Sequence, residues 1–164
     1  MVYKWIYKTN NNFDDIILLS DGNYLTGLYF ENENNFSAKE EYLPIFKDTV
    51  RWLDIYFNGK MPDFIPKYKI ENITSFRKEV LEITQSIPFG KIMTYGEIAN
   101  IIAKKRGIKR MSTQAVGGAL HSNPICIIIP CHRVVGKNNC LVGYGGGINN
   151  KRQLLKHEQK LDYL

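Results

Sequence analysis

Long apolar runs are missing from this 164-residue chain, and no stretch approaches the roughly 20 residues that a bilayer-spanning helix needs. The start, Met1-Val2-Tyr3-Lys4-Trp5, lacks the apolar core of a secretory signal. Cysteine is scarce and odd in number, at three, which argues against a disulfide framework and for a reducing compartment. Cys126, Cys131 and Cys140 do not combine with His121, His132 and His157 at zinc-finger spacing, so no metal is expected. No Gly-x-Gly-x-x-Gly follows a strand-like run and no Walker loop occurs, so no nucleotide cofactor is expected. Acidic residues are scarce in one half only. Residues 87–164 hold 12 Lys+Arg against 3 Asp+Glu, net +9, whereas residues 1–86 hold 10 against 13, net −3. A basic half joined to a mildly acidic one is the electrostatic footprint of a nucleic-acid-binding domain with a non-binding companion.

What is present suffices for folding. The chain is 44% hydrophobic, and its length suits one large domain or two small ones. Residues 14–19 and 24–30 are strand-like, joined by Ser20-Asp21-Gly22-Asn23 with its Asp-Gly hairpin signal. Val2 to Tyr7 adds a third strand, and Glu31-Asn32-Glu33-Asn34-Asn35 reads as a polar loop. Over residues 42–57, Leu43, Phe46, Val50, Leu53 and Phe57 recur at helical spacing, with Gly59 as the stop. Residues 64–70 suit a strand or an extended linker. A second helix is expected over 74–85, capped by Thr74, with Phe76, Val80 and Ile83 inward. A third runs from Tyr95 to about Lys104, capped by Thr94, with Ile98, Ile101 and Ile102 apolar. A fourth, capped by Ser112 or Thr113, ends near Ser122. The third and fourth form a helix-turn-helix pair, whose second member would read DNA. Between them Lys104-Lys105-Arg106-Gly107-Ile108-Lys109-Arg110 places five cations in seven residues, either a solvated loop or a phosphate grip.

One run organises the rest. Residues 125–129 are unbroken and apolar, the pattern of a buried strand or an extended core segment. Pro130 stops it, because proline has no N–H to give a ladder. Cys131, His132 and Arg133 come immediately after. A thiolate is the nucleophilic form of cysteine, and a neighbouring base or cation favours it. The competing reading is a small buried cysteine followed by a surface His-Arg pair.

Pro130-Cys131-His132-Arg133-Val134 resembles the active-site signature of the O6-alkylguanine-DNA alkyltransferases, the methylated-DNA–protein-cysteine methyltransferases. The resemblance extends to Asn123-Pro124, to Ala115-Val116-Gly117-Gly118-Ala119-Leu120, to Ile87-Pro88-Phe89-Gly90 and to Thr94-Tyr95-Gly96-Glu97-Ile98-Ala99. It continues through Gly143-Tyr144-Gly145-Gly146-Gly147, Lys151, Leu154-Leu155 and Glu158, spanning residues 74–160 in all.

The resemblance implies an α+β protein. Residues 1–71 would form a small antiparallel sheet with a helix, ribonuclease H-like, and residues 72–164 a mostly helical, winged-helix-like alkyltransferase domain. It implies single-turnover transfer of an alkyl group from guanine O6, with thymine O4 as a second substrate, to Cys131. His132 would act on the thiol through a water and Glu158 would polarise His132. Tyr144 would donate to O6, and Asn123 would brace the turn. The Cys131 and Val134 carbonyls would read the guanine amine. Gly145 stands where many members have serine, leaving a backbone N–H but no hydroxyl. Minor-groove contacts are implied for Tyr95, Thr113, Gln114, Ala115, Gly117, Gly118, His121 and Arg133. Tyr95 would crowd the 3′ phosphate so that the nucleotide flips out. Gln114 takes the place of the usual arginine that fills the vacated stack. A cytoplasmic (or, in a eukaryote, nuclear) monomer without a cofactor is expected. Two alternatives stand beside this one: a cysteine hydrolase, which also combines Cys, His and a distant acid, and a non-enzymatic protein that binds alkylated DNA, as relatives lacking the reactive cysteine do.

Overall fold

In the computed structural model, which describes residues 1–10, 12–31, 37–141 and 143–159, the first half of the chain builds a four-stranded sheet. Its strands are β1 (Tyr3–Tyr7), β2 (Ile16–Ser20), β3 (Leu25–Phe30) and β4 (Lys39–Glu40), in the order β3-β2-β1-β4. β1 and β3 flank β2 antiparallel, but β4 runs parallel to β1, so the expected antiparallel sheet is mixed. All five residues of β2 are buried. The strand starts later than expected because Asp15 is spent on a turn, accepting from Thr9 N at 3.0 Å and pairing with Lys8 at 2.9 Å. Nor is the hairpin a two-residue turn. Asp21 Oδ1 accepts from both Asn23 N and Tyr24 N at 2.9 Å, which widens the connection. Gly22, at φ 110°, supplies the left-handed corner. Asn32 to Asn35 of the expected polar loop lie outside the described residues.

The helix α1 (Pro44–Phe57) forms where predicted, with a different face inward. Ile45, Phe46, Thr49, Trp52, Leu53 and Tyr56 are buried, while Leu43, Val50 and Phe57 are only half-buried. The stripe rotates because Trp52 and Tyr56, stacked at 5.4 Å, carry the largest areas on the helix. Gly59, at φ 87°, closes it, its N–H donating to Tyr56 O and the N–H of Lys60 to Ile55 O. Residues 64–70 are a linker with one bridge, Tyr68 to Leu25.

The expected strand at residues 125–129 does not form. Ile125 makes one bridge to Leu28, and residues 126–128 then turn. Ile127 has φ 70°, an outlier for a β-branched side chain. All five residues are buried, so the run's apolarity reports its depth and not its backbone.

Residues 1–71 with 124–126 cluster as one unit, and 72–123 with 127 onward as the other. The second contains α2 (Ser75–Gln85), α3 (Tyr95–Arg106), α4 (Thr113–His121) and α5 (Ile148–Gln159), making five α-helices among the described residues. Thr74, Thr94 and Ser112 cap α2, α3 and α4, accepting from Arg77 N at 3.2 Å, Glu97 N at 3.0 Å and Ala115 N at 3.1 Å. The inward sets differ from those expected. α2 buries Val80, Leu81 and Thr84, leaving Phe76 and Ile83 half-buried. α3 buries Ile98, Ala99, Ile102 and Ala103 and leaves Ile101 outside, because the buried pairs sit one turn apart on one face. α2, α3 and α4 pack against one another. A short parallel pair, β5 (Met93–Thr94) with β6 (Val134–Val135), ties the start of α3 to the segment after Cys131. No described helix is long and apolar enough to cross a membrane.

Candidate active site

Cys131 opens a single 3-10 turn, Cys131–Arg133, and is 6% exposed. Its N–H donates to Ile129 O at 2.8 Å. Asn123, just past the end of α4, braces the turn. Its Nδ2 donates to Ile129 O at 3.0 Å and lies 3.2 Å from Cys131 Sγ, where a thiolate is the better acceptor.

His132 is fully buried, and its Nε2 lies 2.6 Å from Glu158 Oε2. Burial first, then the positive Arg133 and Lys151, pushes its pKa down against the pull of Glu158. Nε2 faces the carboxylate, and Nδ1 has no hydrogen-bond partner among the described residues. Burial alone would raise the Glu158 pKa, but His132 and Arg133 outweigh it and hold the carboxyl well below the usual range.

Arg133 overturns one expectation. It is 3% exposed and presents no cation to DNA. Its Nε and Nη2 grip Glu158 at 2.7 and 3.1 Å, while Nη1 donates to Ile87 O at 2.7 Å. A buried guanidinium requires such a partner, because leaving it unpaired is costly. The motif Ile87-Pro88-Phe89-Gly90 thereby gains a physical role. Ile87 O receives Arg133, the Phe89 ring lies 5.8 Å from the guanidinium, and Gly90 N donates to Glu158 Oε1 at 3.4 Å. Gly90 sits at φ 80°, where a side chain would be strained.

Lys151 was visible in the sequence without a role. It is fully buried on α5, its Nζ donates to Val134 O at 2.7 Å, and it lies 5.7 and 6.0 Å from the ring centres of Tyr95 and Tyr144. Burial lowers its pKa to about 8, although the Cys131 and Cys140 thiols pull the other way. Its signal was positional. Lys151, Leu154, Leu155 and Glu158 share the buried stripe of α5, and two charges in such a stripe must each be answered. Tyr144 is buried as well. Val134 O, the expected reader of the guanine amine, already accepts from Lys151 and has a second lone pair.

A groove of about 430 Å³ is lined by Tyr95, Thr113, Gln114, Gly117, Gly118, His121 and Gly143. Six of these lie in the expected contact set, and Gly143 joins them. Ala115 is exposed beside the groove. The glycines face the groove and do not serve helix packing: a Cβ on Gly118 would meet nothing within 4 Å, and one on Gly117 only the Tyr95 ring at 3.9 Å. Gly145 backs onto His121, whose carbonyl oxygen would lie 3.4 Å from a Cβ there. Burial, with the charge of Cys131, raises the Tyr95 pKa, so its phenol stays protonated. Cys126 is buried and Cys140 exposed.

A family model described as 6-O-methylguanine DNA methyltransferase, DNA binding domain, matches residues 75–160. The chain is 40% identical over 155 residues to the methylated-DNA–protein-cysteine methyltransferase of Haemophilus influenzae, covering 91% of this chain and 82% of that one. A crystal structure of the Mycobacterium tuberculosis O6-methylguanine methyltransferase superposes with a TM-score of 0.81 at 33% identity, covering 98% and 94% of the two chains. A crystal structure of Mycobacterium tuberculosis OGT in complex with DNA gives 0.78 at 33% identity, covering 97% and 92%.

Proposed function

The chain belongs to the methylated-DNA–protein-cysteine methyltransferase family, and we propose from that membership that Cys131 is the cysteine to which it transfers alkyl groups in repairing DNA. The observation that carries the assignment is the Sγ of Cys131 at 3.2 Å from Asn123, next to a histidine fixed by Glu158 at 2.6 Å. The thiol proton passes through a bridging water toward His132 Nδ1. The thiolate attacks the O6 alkyl carbon, the S–C bond forms, and the C–O6 bond breaks with its electron pair on the base. Tyr144, a phenol in a dry wall, supplies a proton to the departing oxygen. The thioether product does not leave at neutral pH, so each molecule acts once.

DNA is the partner. In our reading α3 and α4 act as a helix-turn-helix with α4 in the minor groove, supported by the open face of Gly117 and Gly118. The target nucleotide turns out of the stack past Tyr95, and Gln114 fills part of the gap. The second unit is winged-helix-like, the first is a ribonuclease H-like companion, and the protein works as a monomer in the cytoplasm. Intact-protein mass spectrometry after incubation with O6-methylguanine duplex tests the assignment. A gain of one methylene mass mapping to Cys131, absent from Cys131→Ser, is expected. The same gain on Cys126 or Cys140 would refute it. Tight binding without any gain would mark a lesion sensor, and turnover of a chromogenic ester a hydrolase.

A further inference from the structure

Lys104, Lys105, Lys109 and Arg110 are all exposed, and none has a partner among the described residues. Arg106 differs, since it pairs with Glu79 at 3.5 Å and lies over Phe76 at 5.6 Å. Helix stability accounts for part of this set. Lys104 and Lys105 occupy the last turn of α3, where cations offset the helix dipole. That explanation does not reach Lys109 and Arg110. They lie beyond Gly107, which ends α3 at φ 64°, with Ile108 N donating back to Ala103 O at 3.0 Å. The start of α4 fixes their place. Arg110 stands two residues before Ser112, the cap of α4, so its Cα lies within about 7 Å of that cap. The first residues of α4, Thr113 and Gln114, line the groove. The two cations therefore flank the end of the groove where α4 begins, and the positive end of α4's dipole adds to them. Little opposes them. Of the acidic residues in the second unit, Glu158 is buried and already paired, Glu79 is paired with Arg106, Glu97 sits in the first turn of α3 at its far end, Glu82 is exposed on α2, and Asp162 lies outside the described residues.

We propose that Lys109 and Arg110, backed by Lys104 and Lys105, form a second phosphate-binding surface that holds the DNA backbone where it leaves the groove. The inference rests on DNA occupying the groove and adds a longer footprint on the duplex. Its occupant is the phosphodiester backbone, because residues 104–110 present four cations unpaired among the described residues and no aromatic ring on which a base could stack. It contributes affinity common to lesion and intact DNA, and it makes that affinity steeply salt-dependent.

The test compares the parental protein with a Lys109→Gln, Arg110→Gln variant. Binding to undamaged duplexes is measured over a salt series, with one duplex barely longer than the groove and one twice as long. The slope of log affinity against log salt should flatten by up to about two in the variant, near 0.9 for each lost contact. The parental gain from the longer duplex should vanish, and the ratio of lesion to intact affinity should hold. A charge-keeping variant, Lys109→Arg with Arg110→Lys, should retain the parental slope, which separates lost charge from a misfolded loop. An unchanged slope and unchanged length dependence in the neutral variant would overturn the surface. The methylene gain on parental Cys131 is scored separately, so a failure of the transfer reading is not mistaken for a failure of this one.

Discussion

At the scale of single residues, the site is a set of buried charges that answer one another. Glu158 serves two partners, His132 and Arg133, and removing its charge affects both. Glu158→Gln should therefore slow transfer and also lower stability by about 3–5 kcal/mol, because the Arg133 guanidinium stays buried without its anion. The folded pKa of Glu158 is depressed, so its stabilisation is present above its ordinary value of 4.5 and is lost as pH falls below it. Denaturant melts from pH 5 down to pH 2 should show a steeper acid loss in the parent than in the variant. A variant that melts like the parent would mean that Arg133 is compensated from elsewhere. Lys151 titrates in the opposite sense. Below about pH 8 it is a buried cation near the Cys131 sulfur, and above that it loses the proton. The transfer rate should fall on an alkaline limb near pH 8, and Lys151→Met should be slower and lack that limb. Between about 8 and 10.5 the unfolded chain binds the lysine proton more tightly than the folded one, so this group's contribution to stability rises with pH there. A parental rate that is flat from pH 7 to 9 would remove Lys151 from the chemistry.

At the scale of elements, α4 shows how packing and groove can be separated. Val116, Ala119 and Leu120 bury one side of the helix, and Gly117 and Gly118 leave the other side bare. Glycine within a helix costs about 1 kcal/mol relative to alanine, so two adjacent glycines in a nine-residue helix are a local penalty. Gly118→Ala should raise the melting temperature, since its Cβ meets nothing within 4 Å, while weakening duplex binding by narrowing the groove. If the variant gains stability with no loss of binding, the bare face is not where DNA lies. The 3-10 turn shows the converse. Its position depends on Asn123 from the end of α4 and on β6 pairing with β5, so a rigid site is assembled from short pieces.

At the scale of the whole molecule, charge is segregated. Residues 87–164 carry net +9 and residues 1–86 net −3. The exposed cations interact with DNA through screened fields, whereas the Glu158 cluster is shielded from salt. Raising ionic strength should thus weaken duplex binding linearly on a log–log scale and barely move the melting temperature. A melting temperature that falls in parallel with affinity would mean that surface ion pairs hold the fold together. The exposed pairs Lys39–Glu41 and Lys69–Glu71, at 3.3 and 3.5 Å, argue otherwise, because such pairs contribute little.

The sequence by itself determined the helices, their caps and the residue types of the site. Thr74, Thr94 and Ser112 act over three residues, and a cap or a Pro-Cys-His-Arg run is a local fact that a linear reading can recover. Family membership was legible for the same reason. Tertiary structure alone decided which faces turned inward and which charges met. The sequence could not show that Arg133 serves Glu158, 25 residues away, instead of DNA, or that Lys151 caps the Val134 carbonyl. Nor could it show that residues 125–129 turn where a strand was expected, because apolarity records burial and is silent about φ. Burial removes water as a partner, so each polar group must find another in the fold, and that partner comes from whichever segment packing brings near.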